Sequence, residues 1–200
     1  SYKERELVNN LIGTVASGGQ FAYNIGPKGD GTIDAFDSGV VTEVGQWMAR
    51  HPDAITGARP TWYPAPNWGK VMTKGNDLYF FPELWSPGKT LTLPSVGGHV
   101  TAVTVDGTDR SLEFTQDGTT LTVTMSGENP EPNLRPVVKV TFDSAPTYVP
   151  TQTVTAVDGA TISSEQFFGR ASALRYSGAQ AYDAYLVNKT DKAITDLTLK

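Results

Sequence analysis

The 200-residue sequence contains no cysteine and only two histidines, His51 and His99. The missing cysteines exclude disulfide bonds and thiolate metal sites within this chain. The two histidines are far apart in sequence and neither has a ligand-spaced partner, so a histidine-based metal site or a Ser-His-Asp triad is not expected. We therefore predict no metal and no cofactor, and we interpret both histidines as surface residues.

Long apolar runs and an excess of positive charge are also missing. No apolar run reaches the 18 residues or so that a transmembrane helix needs, so no membrane span is predicted. The net charge is −5, which gives no general attraction to a phosphate backbone, and nucleic acid is not expected as a partner. Hydrophobic residues make up 38% of the sequence, which is enough for a packed core.

Both ends of the sequence lie inside predicted elements. It starts without methionine at Ser1, in a helical pattern, and it ends at Lys200, in a strand-like run. We therefore expect it to be part of a longer protein, and the lack of a visible signal peptide says nothing about that protein.

Residues 1–58 have the alternating pattern of an α/β protein. Apolar residues at helical spacing from Leu7 to Val15 predict a helix that Ser17-Gly18-Gly19 ends. The mostly apolar, glycine-bounded run Gln20–Ile25 then predicts a buried parallel strand.

A second helix should follow this strand. Asp37 or Ser38 is predicted to cap its first turn, and Pro52 to end it. Helix, strand, loop and helix within about fifty residues are typical of an α/β barrel or a doubly wound sheet.

Residues 59–148 are predicted to form an antiparallel β-sandwich, because short alternating runs follow turn signals at regular spacing. The predicted strands are Leu78–Phe81, Thr90–Leu93, His99–Val105, Leu112–Thr115, Thr120–Met125 and Val137–Phe142. Gln116-Asp117-Gly118, between the fourth and fifth of them, is a hairpin signal. Residues 149–200 are predicted to be a linker and the start of a further β-rich module. Its expected strands are Thr153–Val157, Ala181–Val187 and Ala193–Leu199.

The first part of the β-rich region is rich in aromatic residues, and two interpretations are open. They either fill the core and its contact with the preceding domain, or form an exposed platform that stacks on sugar rings. The residues concerned are Trp62, Tyr63, Trp68, Tyr79, Phe80, Phe81 and Trp85.

The region of residues 6–57 resembles glycoside hydrolase family 29, the α-L-fucosidases. The family pattern has a helix ending in Ser-x-Gly-Gly, a last barrel strand ending in Asn-x-Gly-Pro, then Asp-Gly-x-Ile and a helix with Gly-x-Trp. Here the two glycines of the first pattern are Gly18 and Gly19, the strand pattern is the run from Gln20 to Pro27, and the last two patterns are residues 30–33 and 45–47. The sequence departs from the pattern at Gln20, where the family has asparagine, and at Ala22-Tyr23, where it has two leucines.

The resemblance implies the fold class α/β plus all-β. Residues 1–58 would be the last strand and flanking helices of a (β/α)8-like barrel, and residues 59–148 an antiparallel β-sandwich. It also implies an exo-α-L-fucosidase that retains configuration through an Asp nucleophile and an acidic acid/base. Both carboxylates lie upstream in the family, so no catalytic residue is predicted here, and this chain alone should be inactive.

One binding residue carries over from the family. An apolar side chain on the last strand lies against the fucose methyl group there, and Phe21 is the matching position. The alternative is that Phe21 points into the helix layer. Asp30, Asp34, Glu4 and Glu6 are expected in turn, capping or helix-surface roles.

The resemblance further implies two partners, fucosylated oligosaccharides or glycoconjugates and the missing N-terminal part of the barrel. An extracellular or periplasmic bacterial location is expected on the same basis. The alternative function is a carbohydrate-binding or structural β-sandwich module of a multidomain secreted glycosidase.

Overall fold

The computed structural model describes residues 2–149, 153–156, 158–162, 185–188 and 192–199. The chain divides into two compact units, Ser1–Tyr148 and Val149–Lys200. No helix of the described residues has the length and apolar character needed to cross a membrane.

Helix α1, Tyr2–Ala16, confirms the first predicted helix. Its apolar stripe, which includes Leu7, Val8 and Ile12, is buried. Gly18 has a left-handed φ of 80°, and the N–H groups of Gly18 and Gly19 donate to the carbonyls of Val15 and Thr14 at 3.0 and 2.9 Å. These two bonds form a Schellman motif, so the Ser-Gly-Gly sequence ends the helix as expected.

The predicted strand Gln20–Ile25 is wrong for this structure, because these residues form no strand between α1 and the next helix. Ala22, Tyr23 and Asn24 are exposed, whereas a buried strand was expected. A strand needs a hydrogen-bonded neighbour, and no strand of the described residues pairs with this run.

Helix α2, Ala35–Arg50, begins two residues before Asp37, the first of the two predicted caps. Its N-cap is Asp34, whose Oδ1 accepts a hydrogen bond from the backbone N–H of Phe36 at 2.8 Å. Asp37 instead lies in the first turn, where a negative charge is favoured by the helix dipole. Pro52 opens the short helix α3, Pro52–Ile55, and α2 ends before it.

The β-rich part is built on two antiparallel sheets and one small strand pair. The five-stranded sheet has the order β1-β2-β3-β9-β6, with β1 Arg59–Pro60, β2 Gly69–Lys74, β3 Asp77–Pro82, β6 Val100–Val105 and β9 Val138–Phe142. The three-stranded sheet has the order β4-β8-β7, with β4 Thr90–Leu93, β7 Phe114–Asp117 and β8 Thr120–Thr124. β5, Val96–Gly97, pairs with β10, Thr147–Tyr148.

All six strands predicted in this region overlap observed strands, and the antiparallel, β-rich character is confirmed. The hairpin at Gln116–Gly118 is also present, as the connection of β7 to β8. β1, β2, β5 and β10 were not predicted, since three of them have only two residues and β2 contains two lysines and a glycine.

Strand β3 separates two apolar cores. Leu78 and Phe80 pack into the core between the five-stranded and three-stranded sheets. Tyr79 and Phe81, which alternate with them, pack with Trp47 and the other apolar residues of α1, α2 and α3. Because successive side chains of a strand point to opposite faces, β3 is buried on both.

In the second unit, the described residues include two parallel strand pairs. β11, Thr153–Ala156, pairs with β13, Tyr185–Asn188, and β12, Ala160–Ile162, pairs with β14, Leu197–Leu199. The three predicted strands are confirmed at residues 153–156, 185–187 and 197–199. Their remaining residues 157 and 181–184 lie outside the described residues, and 193–196 form no strand.

Gly69 offers a direct test of the β2–β3 contact. A Cβ added at this position would overlap the carbonyl oxygen of Phe81, which is backbone and cannot turn aside. We expect Gly69→Ala to lower the free energy of unfolding by about 2–3 kcal/mol, measured by urea denaturation. Gly45→Ala is the control, because it lies in α2 with no atom nearby, and it should raise stability by about 1 kcal/mol. Equal effects of the two variants on the free energy of unfolding would contradict the close approach of Gly69 to the backbone of Phe81.

Candidate functional site

The segment of residues 17–34, called the motif segment below, carries the family pattern up to the start of α2. Asp30 Oδ1 accepts hydrogen bonds from the hydroxyl and the backbone N–H of Thr32, at 2.7 and 3.0 Å. These two bonds, the hydroxyl bond first, lower the pKa of Asp30. The backbone N–H of Lys28 donates to the carbonyl of Thr32 at 2.7 Å and closes the turn around Gly31.

The two carboxylates of the motif segment therefore have the structural roles that the sequence suggested. Asp30 fixes a turn, and Asp34 caps α2. Lys28 Nζ lies 3.4 Å from Asp34 Oδ2, on the exposed side of the same turn. The partners of these two carboxylates are Thr32, the backbone of Phe36 and Lys28. Neither carboxylate is paired with a second carboxylate as a glycosidase site requires.

Phe21, the predicted substrate-binding residue, is half-buried in the motif segment. Its side chain packs against the apolar cluster that α1, α2 and α3 share with β3. This is the placement described by the alternative interpretation. The role of Phe21 toward a fucose methyl group stays a prediction.

His51 is buried, so its interpretation as a surface residue is wrong. Its Nδ1 lies 2.8 Å from Asp106 Oδ2, and its Nε2 lies 3.1 Å from Glu131 Oε1. Arg50 holds the same Glu131 by two bonds, Nε to Oε1 at 2.8 Å and Nη2 to Oε2 at 2.9 Å. His51, Asp106, Glu131 and Arg50 are called the histidine cluster below.

The charges of this cluster favour a protonated imidazole. Burial lowers the pKa of His51, but the hydrogen bonds to Asp106 and Glu131 outweigh it and raise this pKa above its ordinary value. For Glu131, burial raises the pKa, and the bonds to His51 and Arg50 reverse this and lower it. Through its hydrogen bonds, the cluster joins the C-terminal end of α2 to the two loops of the β-rich part that contain Asp106 and Glu131.

No local pattern in the sequence could have revealed this cluster. Asp106 and Glu131 are 55 and 80 residues away from His51 along the chain. Only Asp106-Gly107, read as a turn after a strand, hints at a close approach. Gly107 has a φ of 79°, and a Cβ there would come within 3.1 Å of the carbonyl oxygen of Arg50.

His99, by contrast, is exposed, as predicted. Among the described residues, no group of three histidine and acidic side chains is arranged to hold a metal ion.

The aromatic residues of the β-rich part belong mostly to the core. Tyr63, Tyr79, Phe80 and Phe81 are buried, and Trp68 and Trp85 pack half-buried against the core between the sheets. The indole N–H groups of Trp68 and Trp85 donate to the carbonyls of Thr92 and Gly127 at 2.9 Å. Trp62 alone of the seven is exposed, at 52%. One exposed ring does not make a platform, which speaks against the sugar-stacking interpretation.

Known proteins similar to this chain support the resemblance that the motif segment carries. Residues 1–53 match the family model described as alpha-L-fucosidase. The resemblance to the α-L-fucosidases is confirmed. Tissue alpha-L-fucosidase of Mus musculus is 30% identical over an alignment of 120 residues that covers 58% of this chain and 26% of the mouse protein. Alpha-L-fucosidase of Dictyostelium discoideum is 30% identical over an alignment of 137 residues that covers 60% of this chain and 29% of that protein.

The likeness to solved α-L-fucosidase structures extends the agreement to the fold. The α-L-fucosidase of Vibrio sp. strain EJY3 aligns with a TM-score of 0.68 and 22% identity, over 75% of this chain and 28% of the other. The chain thus spans about a quarter to a third of the length of the α-L-fucosidases that it matches.

The histidine cluster predicts how the stability of the first unit depends on pH. The raised pKa of His51 gives stabilisation that is complete below its ordinary pKa of 6.5 and is lost as pH rises through its pKa in the folded protein. The lowered pKa of Glu131 gives stabilisation that is complete above 4.5 and is lost as pH falls through its folded pKa. We expect the free energy of unfolding to be highest between about pH 4.5 and 6.5.

His51→Gln tests the alkaline side of this profile. At pH 6 it should lower the free energy of unfolding by about 2 kcal/mol, because the partly buried carboxylates of Asp106 and Glu131 lose the imidazolium that lies between them, although Glu131 keeps its bonds to Arg50. The difference from the unmodified chain should shrink as pH rises to 9, as followed by urea denaturation. His99→Gln is the matched control and should leave the profile unchanged. Identical profiles for the two variants would contradict a charged His51.

Proposed function

We propose that this chain is the C-terminal part of a retaining exo-α-L-fucosidase that removes terminal α-L-fucose from glycans. The observation that carries the proposal is the family match at residues 1–53, which includes the whole motif segment. The α-L-fucosidases from mouse and Dictyostelium, whose similarity reaches into the β-rich part, support it as well.

In this proposal, the catalytic carboxylates belong to a part of the parent protein that precedes Ser1. A retaining glycosidase needs two carboxyl groups about 5 Å apart, on either side of the sugar. The acids of the motif segment do not fit this need, since Asp30 is held by Thr32 and Asp34 by the first turn of α2. The chain contributes the end of the barrel and the β-rich domain that supports it.

Exposed apolar side chains support a barrel partner on the side of the motif segment. Ile33 and Phe36 are 52% and 55% exposed, and Tyr23 is exposed in the run that was predicted to be a strand. Large side chains of this kind are rarely left uncovered together on a soluble protein. The proposed partner is the remaining barrel, whose strands would give residues 20–25 the hydrogen-bonded neighbours that they lack here.

The β-rich part is proposed to be a β-sandwich that braces the barrel. Its five-stranded sheet packs one face on the three-stranded sheet and the other on α1–α3, so the helices share a core with it. The alternative, a carbohydrate-binding module, would need several exposed aromatic rings, and only Trp62 of the seven provides one.

An extracellular or periplasmic bacterial location remains part of the proposal, since fucosylated glycans are mostly found outside the cell.

The proposal is tested by comparing the chain with its longer parent on an aryl α-L-fucoside. The parent should hydrolyse the substrate, and proton NMR of the first product should show the α anomer, which is retention. The 200-residue chain should give no turnover. Appreciable turnover by the chain alone, or a parent that is inactive on fucosides, would overturn the proposal.

Phe21→Ala in the parent separates the two interpretations of Phe21. If the ring lies against the fucose methyl group, the ratio of kcat/KM for an α-L-fucoside over the matching substrate without that methyl should fall by about ten-fold. Trp62→Ala, an exposed aromatic residue outside the motif segment, is the control and should keep this ratio. A lower Tm with an unchanged ratio would show that Phe21 only packs against the helices.

A further inference from the structure

A cavity of about 480 Å³ lies between α1 and the neighbouring ends of β2 and β3. Its polar lining consists of Arg5 and Asn9 from α1, Lys70 from β2, Glu83 just after β3, and Arg135. Three of these side chains are cationic and one is anionic, which leaves two uncompensated positive charges. This is unusual in a chain whose net charge is −5.

Arg135 is the most buried of the three cations, at 5% exposure. Its Nε donates to the carbonyl of Pro82 at 3.0 Å, and its two terminal nitrogens donate to the carbonyl of Phe81 at 2.7 Å and to Asn9 Oδ1 at 2.8 Å. All three acceptors are neutral. An arginine stays protonated even when buried, so this cation lies in the protein without a direct anionic partner among the described residues.

The neighbouring charges do not remove this excess. Arg5 donates to the backbone carbonyl of Glu83 at 3.2 Å and not to its carboxylate. Neither Arg5 nor Lys70 forms an ion pair within the described part of the chain. Burial lowers the pKa of Arg135, the charge of Glu83 opposes this, and the charge of Arg5 lowers the pKa further. Two guanidinium groups therefore repel each other across the pocket.

We propose that this pocket binds an oxyanion, such as a sulfate, a phosphate or the carboxylate or sulfate ester of an acidic sugar. Three N–H donors of Arg135 are in use, which leaves two of its five for a ligand. A guanidinium pairs with planar and tetrahedral oxyanions through charge-assisted bonds, and Lys70 adds a mobile ammonium group. Leu84, an exposed apolar residue of the lining, is suited to contact the carbon skeleton of a sugar-borne anion. The site does not depend on the proposed fucosidase function.

Binding is tested on the 200-residue chain by isothermal titration calorimetry with sodium sulfate, against sodium chloride at the same low ionic strength. Sulfate should bind and chloride should not, because only sulfate offers several acceptor oxygens. Galactose 6-sulfate and sodium glucuronate, with galactose as the uncharged control, distinguish the sources of the anion. Tighter binding of an acidic sugar than of sulfate assigns the site to glycans, and equal binding assigns it to the free ion. No binding of any of these anions would overturn the proposal.

Variants of the pocket make the test specific. Arg135 is left intact because its bonds to Pro82 and Phe81 also hold the end of β3. Lys70→Gln should weaken binding by about ten-fold, whereas Lys89→Gln, an exposed lysine outside the pocket, should not change it. Glu83→Gln should tighten binding several-fold by removing the only acid of the lining, with Glu113→Gln as its control. Equal effects of the Lys70 and Lys89 variants would show general charge screening and contradict the site.

Discussion

The double burial of strand β3 is the constraint on which the rest of the first unit depends. Phe80 and Phe81 are both fully buried, although they point to opposite faces of the same sheet. A sheet with two apolar faces must be covered on both sides. The three-stranded sheet covers one face and the helices α1–α3 cover the other, so the helices are part of the same folded unit as the β-rich region.

Polar contacts then fix where the helices lie on this sheet. The indole N–H of the fully buried Trp47 donates to the carbonyl of Arg135 at 2.8 Å, and the side chain of Arg135 in turn binds the end of β3. One turn further along α2, His51 binds Asp106 and Glu131. Apolar burial supplies most of the stabilisation, while these directional bonds select one position of α2.

The sequence predicted elements whose signals are local. The stripe of α1, its Ser-Gly-Gly end and the hairpin at Asp117-Gly118 were found from residues a few positions apart. The burial of His51 could not be predicted in this way, because its partners Asp106 and Glu131 come from loops that are distant in sequence. The strand at Gln20–Ile25 was inferred from a mostly apolar, glycine-bounded run and from a family pattern. A strand also depends on hydrogen-bonded neighbours, which its own residues do not encode. The assignment of Phe21 has the same weakness, since it was made from that pattern.

The central proposal is that this chain supports a sugar-cleaving site whose nucleophile lies outside it. The most direct measurement is to trap the longer parent protein with a 2-fluoro-fucosyl fluoride, which leaves a covalent glycosyl-enzyme, and to map the labelled peptide by mass spectrometry. We predict a single labelled aspartate in a peptide that precedes Ser1. A label on any carboxylate between Ser1 and Lys200 would contradict the claim.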